Sequence, residues 1–506
     1  MSHSTTLTQG DLQYTDSCQH LQSHLVTMPN TLPRYLRTFL DNGFPLDVFG
    51  QQPGLYNLYT QICLCYSVED PKVASSIIRR LMTGLERLTA NFPWVAGQVV
   101  KSNGTYQIVP FERTPRLVVR DYRDNPDIPP MDVLRFTGFP MDMLDEIVIC
   151  PIRTLAAKTA KENDPAPVFM VQANLIDEGL VLSFVAQHNV MDMTGLAQIM
   201  RLLSMDCHDD PYSHELIWGN RHRGSVIPLL EEPFDPWTEL SRQLVRPAPV
   251  APAEEIPASS PVPTAAATAT TVSPFDGTPK CSWATWIFSR DSLEALKALG
   301  TRTMDPQIDF ISTDDALSAF IWQSIMRARL PRLDPKQRVT FARAVDPRRF
   351  LGIPNSYMGV VQNMTYHTYS LDEFLQMPLG GVASNLRAAL DPKTSTVDRN
   401  TRALATFLEQ HPEDRHLVSV TATLDLGSDI MLSSWVKEKL YELDFNLGVG
   451  KPEAVRRPAF DPVESLIYLM PKALNGEISA AICLRDEDLD RLRADEQFKK
   501  YARYVC

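Results

Sequence analysis

Two short segments carry residue types that could do chemistry. The first is His188-Asn189-Val190-Met191-Asp192. An imidazole with an ordinary pKa near 6.5 can take and return a proton at neutral pH, and a carboxylate four residues on can orient it or cap a following helix. The second is Asp444-Phe445-Asn446-Leu447-Gly448-Val449-Gly450-Lys451-Pro452, a loop punctuated by glycines. It matches neither phosphate-binding fingerprint. GxxxxGK needs glycine at 445, where phenylalanine stands, and GxGxxG fails at Glu453. From its residues alone this loop is a tight structural turn. His-x3-Asp alone is also a weak signal. With ten histidines in the chain, one such pair arises by chance about as often as not. A strand-end histidine satisfied by hydrogen bonds accounts for it as well.

Other candidates carry less. No GxSxG nucleophile elbow occurs. His20 and His24 are spaced like metal ligands on one helix face, but they sit in a polar region with no evident third ligand. They read as solvated, and no metal is expected. Cys63 and Cys65 alternate within an apolar strand-like run and read as packing residues.

Chemistry at His188 needs a rigid support, and the surrounding pattern provides one. Residues 168–176 and 180–187 are apolar runs on either side of Asp177-Glu178-Gly179, a hairpin ending at His188. Leu196, Ile199, Met200 and Leu203 recur at i, i+3, i+4 and i+7, so a helix follows one short turn later, with Asp192 placed to cap it. Upstream, Ile77, Ile78, Leu81, Leu85 and Leu88 predict a helix, and 94–100, Asn103-Gly104 and 105–109 predict strand, turn and strand. Later, Ser312 with Asp315 resembles a capping box ahead of a helix over 316–330. Residues 466–470 and 478–484 predict a hairpin about Asn475-Gly476, and a charged helix starts near Asp486. Strands and helices mix without strict βαβ alternation, which predicts an α+β fold with mixed sheets.

At 506 residues the chain exceeds one core, so two domains are expected. A Pro/Ala/Thr/Ser tract over 246–279 has no hydrophobic period and reads as a flexible linker or crossover loop between domains 1–245 and 280–506. The net charge of −12 argues against nucleic acid or an anionic membrane as the main partner. No apolar run approaches the ~20 residues of a membrane span. The first 30 residues lack the apolar core of a signal peptide, and the eight cysteines are scattered with no CxxC pair. These features predict reduced thiols and a cytoplasmic location. Asn103-Gly104-Thr105 and Asn363-Met364-Thr365 are formal glycosylation sequons that read, without a secretory route, as a turn and a strand.

Taken in order, the segments resemble the BAHD superfamily of CoA-dependent acyltransferases. His188-x3-Asp192 is similar to its HxxxD motif, and 444–448 is similar to its DFGWG motif with Asn446 for Gly and Leu447 for Trp. Asn91-Phe92-Pro93-Trp94-Val95-Ala96-Gly97, Ala344-Val345-Asp346-Pro347-Arg348 and Ser433-Ser434-Trp435 add to the likeness. The DFNLGxGKP form, with Asp47 to Pro53 and Arg456-Arg457-Pro458, resembles a fungal branch of trichothecene 3-O-acetyltransferases, from about Phe44 to the C-terminus.

The resemblance implies two chloramphenicol-acetyltransferase-like domains, mixed sheets flanked by helices, and a channel between them. A short segment of the second half is expected to return to the first. The implied reaction is acyl transfer, with acetyl-CoA as co-substrate, an alcohol acceptor, no permanently bound cofactor, and a monomeric enzyme. The acceptor implied is a fungal secondary metabolite, with the 3-hydroxyl of a trichothecene foremost. Another alcohol or amine, a larger acyl-CoA, or a catalytically silent binder stays open. By resemblance His188 is the general base, Asp192 pairs with Arg348 to hold the turn, and Ser433, Ser434 and Trp435 serve the oxyanion and acyl-CoA. Asp444, Gly448 and Gly450 shape the second loop.

Overall fold

The computed structural model describes residues 39, 43–155, 164–213, 215–216, 223, 226–246 and 279–506. His20, His24 and all but the ends of the 246–279 tract lie outside them. Among the described residues are three sheets. A small one joins β1 (Phe44–Pro45), β4 (Thr105–Val109) and β3 (Gln98–Ser102).

The second sheet runs β12 (Ala454–Arg456), β2 (Tyr59–Ser67), β7 (Gly179–Gln187), β6 (Phe169–Ile176), β5 (Arg116–Asp121). Its β5–β6 pair is parallel and the rest antiparallel, so the sheet is mixed. β7 is buried along its whole length because neighbours flank both edges and side chains cover both faces. Leu180, Leu182, Phe184 and Ala186 pack toward the helices Ala74–Asn91 and Met193–His208, while Val181 and Val185 pack toward Met131, Leu134 and Ile149. Each such Leu or Phe contributes about 1.5–3 kcal/mol by leaving water.

The third sheet has seven strands, in the order β10 (Asn363–Ser370), β9 (Arg338–Val345), β11 (Ile430–Ser434), β13 (Leu466–Leu469), β14 (Ile478–Arg485), β8 (Cys281–Phe288), β15 (Ala502–Tyr504). It too is mixed, with β11 parallel to both neighbours. The helix Thr313–Arg329 covers one face and is buried nearly all round. Its start is the capping box expected from Ser312 and Asp315, with both reciprocal hydrogen bonds formed.

The halves interlock. β12, from the second half, pairs antiparallel with β2, setting Val455 against Leu64. In return Ile227, Leu230, Leu240 and Leu244 pack on Leu404, Phe407 and Leu408 of the helix Val397–Gln410. One local expectation is corrected. Trp94 is not in a strand: Pro93 opens a short 3-10 turn over Pro93–Ala96, and β3 begins only at Gln98. Asn103 sits in the β3–β4 turn at φ 50°, and Asn363 is buried at the start of β10. Cys63 and Cys65 are buried free thiols, as packing residues should be.

Candidate functional site

His188 follows directly on β7, and its backbone N–H donates to Leu58 O at 2.7 Å, continuing the β2–β7 ladder past the strand end. The ring is partly accessible. Nδ1 lies 3.4 Å from Met191 O. A carbonyl oxygen can only accept, so this contact puts the proton on Nδ1 and leaves the Nε2 lone pair free. Burial pushes the imidazole pKa below its ordinary value, and Asp192 opposes that shift only in part. The resting ring is therefore a neutral base.

The Asp192 carboxylate is engaged by groups other than the imidazole. It caps the helix Met193–His208 through Gly195 N–H at 2.9 Å and accepts from Val361 N–H at 2.9 Å. The Arg348 guanidinium meets it at 2.9 Å, with both side chains buried. Arg348 also holds Gly359 O at 2.7 Å and Asp346 at 3.0 Å. Gly195 is required by this packing, since a Cβ there would stand 2.4 Å from Met358 O. The HxxxD turn is thus clamped onto a loop of the other half. Two residues without a sequence signature reinforce the clamp. Arg223 donates to Val190 O and stacks 4.3 Å over Trp94, and Tyr357 donates to buried Asp47 at 2.8 Å.

The Ser433-Ser434-Trp435 group splits in two. On a strand successive side chains alternate faces. Ser434 points to the helix side, where its hydroxyl donates to Asp314. Ser433 and Trp435 point the other way, and Trp435 packs in the same core cluster as Val190, Met191 and Met193. In this structure the Ser434 hydroxyl is thus engaged with Asp314. The Trp435 indole N–H is already donated to Ser433 Oγ at 3.0 Å, so it is Ser433 that keeps a hydroxyl hydrogen to offer.

Glu438 reaches back to the first half, accepting from Thr194 Oγ1 at 3.1 Å. Burial, with repulsion from Asp192 and Asp346, pushes its pKa up to about 7.

The Asp444–Pro452 loop stands apart from His188. Asp444 O accepts from Ser204 Oγ at 2.5 Å and His208 Nε2 at 3.0 Å, and Asn446 Nδ2 donates to Cys207 O at 3.1 Å. All three partners lie at the C-terminal end of the helix whose N-terminus Asp192 caps. That helix has 16 residues, so the two motifs grip ends roughly 24 Å apart. Asp444 also accepts from Asn446 N–H at 2.7 Å, which tightens the turn. Asn446 holds φ 54°, with Gly448 at 80° and Gly450 at 72°. These are left-handed positions, and asparagine tolerates one where the family motif carries glycine. Leu447 is buried in the core, and Phe445 stacks on Phe184 of β7 at 5.5 Å.

A cavity of about 350 Å³ lies where β12 meets the β13–β14 turn, lined by Phe139, Tyr441, Arg456, Leu474 and Arg503. It does not include His188. His411, Glu413 and Asp414 could jointly reach a metal; Glu413 is exposed and the other two are half-buried. Among the described residues no helix is long and apolar enough to cross a membrane.

Comparison with known proteins identifies the family. Residues 58–207 match the trichothecene 3-O-acetyltransferase-like N-terminal domain, and 151–499 match the Transferase family. The chain is 46% identical to the trichothecene 3-O-acetyltransferase of Fusarium sporotrichioides, covering 91% of this chain and 96% of the relative. It is 45% identical to the O-acetyltransferase dmxR13 of a Cryptosporiopsis species, covering 91% and 97%. The crystal structure of F. graminearum TRI101 with coenzyme A and T-2 mycotoxin superposes with TM-score 0.83 at 43% identity, over 92% of this chain and 100% of that one. Vinorine synthase shares the fold at TM-score 0.60 and 14% identity, over 94% of each chain. The chain belongs to the Transferase family of BAHD-type CoA-dependent acyltransferases.

Proposed function

We propose that this protein moves the acetyl group of acetyl-CoA to a hydroxyl of a fungal secondary metabolite, with the 3-hydroxyl of a trichothecene as the favoured acceptor. The observation that carries the reading is the 46% identity to the Fusarium enzyme along 96% of its length. The neutral His188 at the interface of the halves supports it. In the reaction R–OH + acetyl-CoA → R–O-acetyl + CoA–SH, His188 Nε2 takes the hydroxyl proton as oxygen bonds to the acyl carbon. The C–S bond then breaks and the thiolate takes the proton back. No acyl-enzyme is needed. Asp192 and Arg348 hold the turn that aims His188. The Ser433 hydroxyl, oriented by the Trp435 N–H, stabilises the oxyanion. Asp444, Gly448 and Gly450 act at a distance by holding the far end of the same helix. The enzyme works as a cytoplasmic monomer of two domains, 1–245 and 280–506, joined through 246–279.

The 45% identity to dmxR13 favours one second reading, the same O-acetylation with a different alcohol. The experiment is mass-spectrometric detection of an acetylated product from a 3-hydroxy trichothecene, beside a control blocked at that oxygen. Product from the first alone is expected. Product from neither, with turnover on another fungal alcohol, transfers the assignment to the second reading.

A further inference from the structure

Arg457 follows directly on β12 and is buried, 3% exposed, at the seam between the halves. From the first half it meets Gln61 O of β2 at 3.2 Å and Thr154 Oγ1 at 3.2 Å. From the second half three aromatic rings surround it, Phe460 at 4.3 Å, Tyr468 at 4.7 Å and Trp435 at 5.7 Å from the guanidinium carbon. Both hydrogen-bond partners are uncharged, and Nε has none among the described residues. Buried arginines divide in this respect: Arg329 meets Asp488, Arg343 meets Asp315 and Arg348 meets Asp192, while the described contacts of Arg223, Arg415 and Arg456, like those of Arg457, are with uncharged groups. A desolvated charge without a counter-ion is costly. It is retained most simply where the charge has a use.

We propose that Arg457 is a positioning residue for the transfer reaction: it ties the Trp435–Ser433 side of the seam to the strand beside His188 and sets a positive charge facing the reacting centre. The inference rests on the reading of His188 as the base. The ties run to Gln61, two residues along β2 from Tyr59, which pairs with Gln187, and to the Trp435 ring that orients Ser433. The charge acts on His188 in the sense that opposes protonation. The same charge favours the negative oxygen of the tetrahedral intermediate and the departing thiolate. Other titratable groups lie near this pair, among them Arg348, which pairs with Asp192. Asp192 on the HxxxD turn pulls His188 the opposite way. Glu146 is bound to Thr154 N–H at 2.6 Å, Arg153 pairs with Glu146, Tyr468 stacks on the guanidinium, and the Cys150 thiol is pushed up by burial and stays neutral.

The test follows the His188 ring by NMR of labelled histidine, assigned with His188→Gln, and requires no acceptor. The parent should titrate below about 6.5. Arg457→Gln should titrate at a higher pH than the parent, with Arg457→Lys close to the parent. Arg457→Met, which refills the aromatic cage, repeats the test should the glutamine variant not fold. The acid limb of kcat/KM, read as thiol release from acetyl-CoA with a 3-hydroxy trichothecene, should move with the ring. A folded neutral variant whose His188 titration is unchanged overturns the inference, as does a parent value at or above 6.5. The reading of His188 fails separately, if His188→Ala keeps its turnover while the Arg457 variants still shift the ring.

Discussion

Removing the Asp192 carboxylate should cost stability before it costs chemistry. Its oxygens serve Gly195 N–H, Val361 N–H and the Arg348 guanidinium, all inside the protein. Loss of the helix cap costs about 1 kcal/mol. Stranding a buried charge costs about 3–5 kcal/mol. Arg348 keeps Asp346 at 3.0 Å and Gly359 O at 2.7 Å, which favours the lower end. Asp192→Ala is therefore expected to lose about 4 kcal/mol of the 5–15 kcal/mol typical of a domain. At roughly 2–4 °C per kcal/mol the melting temperature falls by about 8–16 °C. Asp192→Asn keeps one acceptor oxygen but turns an amide N–H toward Val361 N–H or Arg348, so it should lose most of the same amount. Thermal melts of both variants provide the measurement. A double variant adds a sharper one: Arg348→Met should cost less in the Asp192→Asn background than in the parent, because the unpaired arginine is then the liability. An Asp192→Asn protein that melts within about 2 °C of the parent yet turns over about 10²-fold more slowly would refute this reasoning. Asp192 would then act on the substrate itself.

Three other outcomes follow from the geometry. Ser433→Ala, which removes the hydroxyl facing the seam, should lower kcat by about 10²-fold with little change in KM, the scale of one lost oxyanion donor. Ser434→Ala, which cuts only the bond to Asp314, should stay near the parent; equal losses in steady-state kinetics would contradict the two-face assignment. Asn446→Ala should destabilise by about 1–2 kcal/mol, because alanine is strained in the left-handed region and the bond to Cys207 O is lost. Asn446→Gly should lose less, and denaturant unfolding orders the two. Glu438, raised to about 7 from an ordinary 4.5, binds its proton more tightly folded than unfolded. Its contribution is full below about pH 4.5 and lost as pH rises through 7. Glu438→Gln should thus match the parent near pH 4.5 and melt progressively higher than it toward pH 8, and parallel melting curves across that range would contradict the assignment.

Local periodicity made much of the support for the site legible. The hairpin ending at His188, the helix after it and the Asp192 cap each rest on residues within about a turn of one another, where side-chain spacing and backbone hydrogen bonds share one geometry. The Ser312–Asp315 capping box and the hairpin about Asn475-Gly476 were readable for the same reason. Trp94 was misplaced because Pro93 starts a turn within an apolar run that otherwise reads as a strand. Ser434 was grouped with its neighbours because alternation separates them only once Ile430–Ser434 is known to be a strand. The partner of Asp192 lies 156 residues away, and family resemblance, not any local pattern, supplied it. Arg223, Tyr357 and Glu438 left no mark in the sequence reading of the site, and Arg457 entered only within the Arg456-Arg457-Pro458 likeness. Each matters through what the tertiary fold sets beside it, and burial of a charged side chain cannot be read from its neighbours in the chain. The departures at Asn446 and Leu447 made sense only in three dimensions, as a tolerated left-handed residue and a core side chain.

The central claim is that His188 is the base for acyl transfer. The most direct measurement is single-variant kinetics of His188→Ala, following thiol release from acetyl-CoA with an accepted alcohol, beside a thermal melt. The backbone contact to Leu58 O does not involve the imidazole, so the fold should persist and the melting temperature should change little. Turnover should fall by at least about 10²-fold. A folded His188→Ala protein that turns over at close to the parental rate would contradict the account.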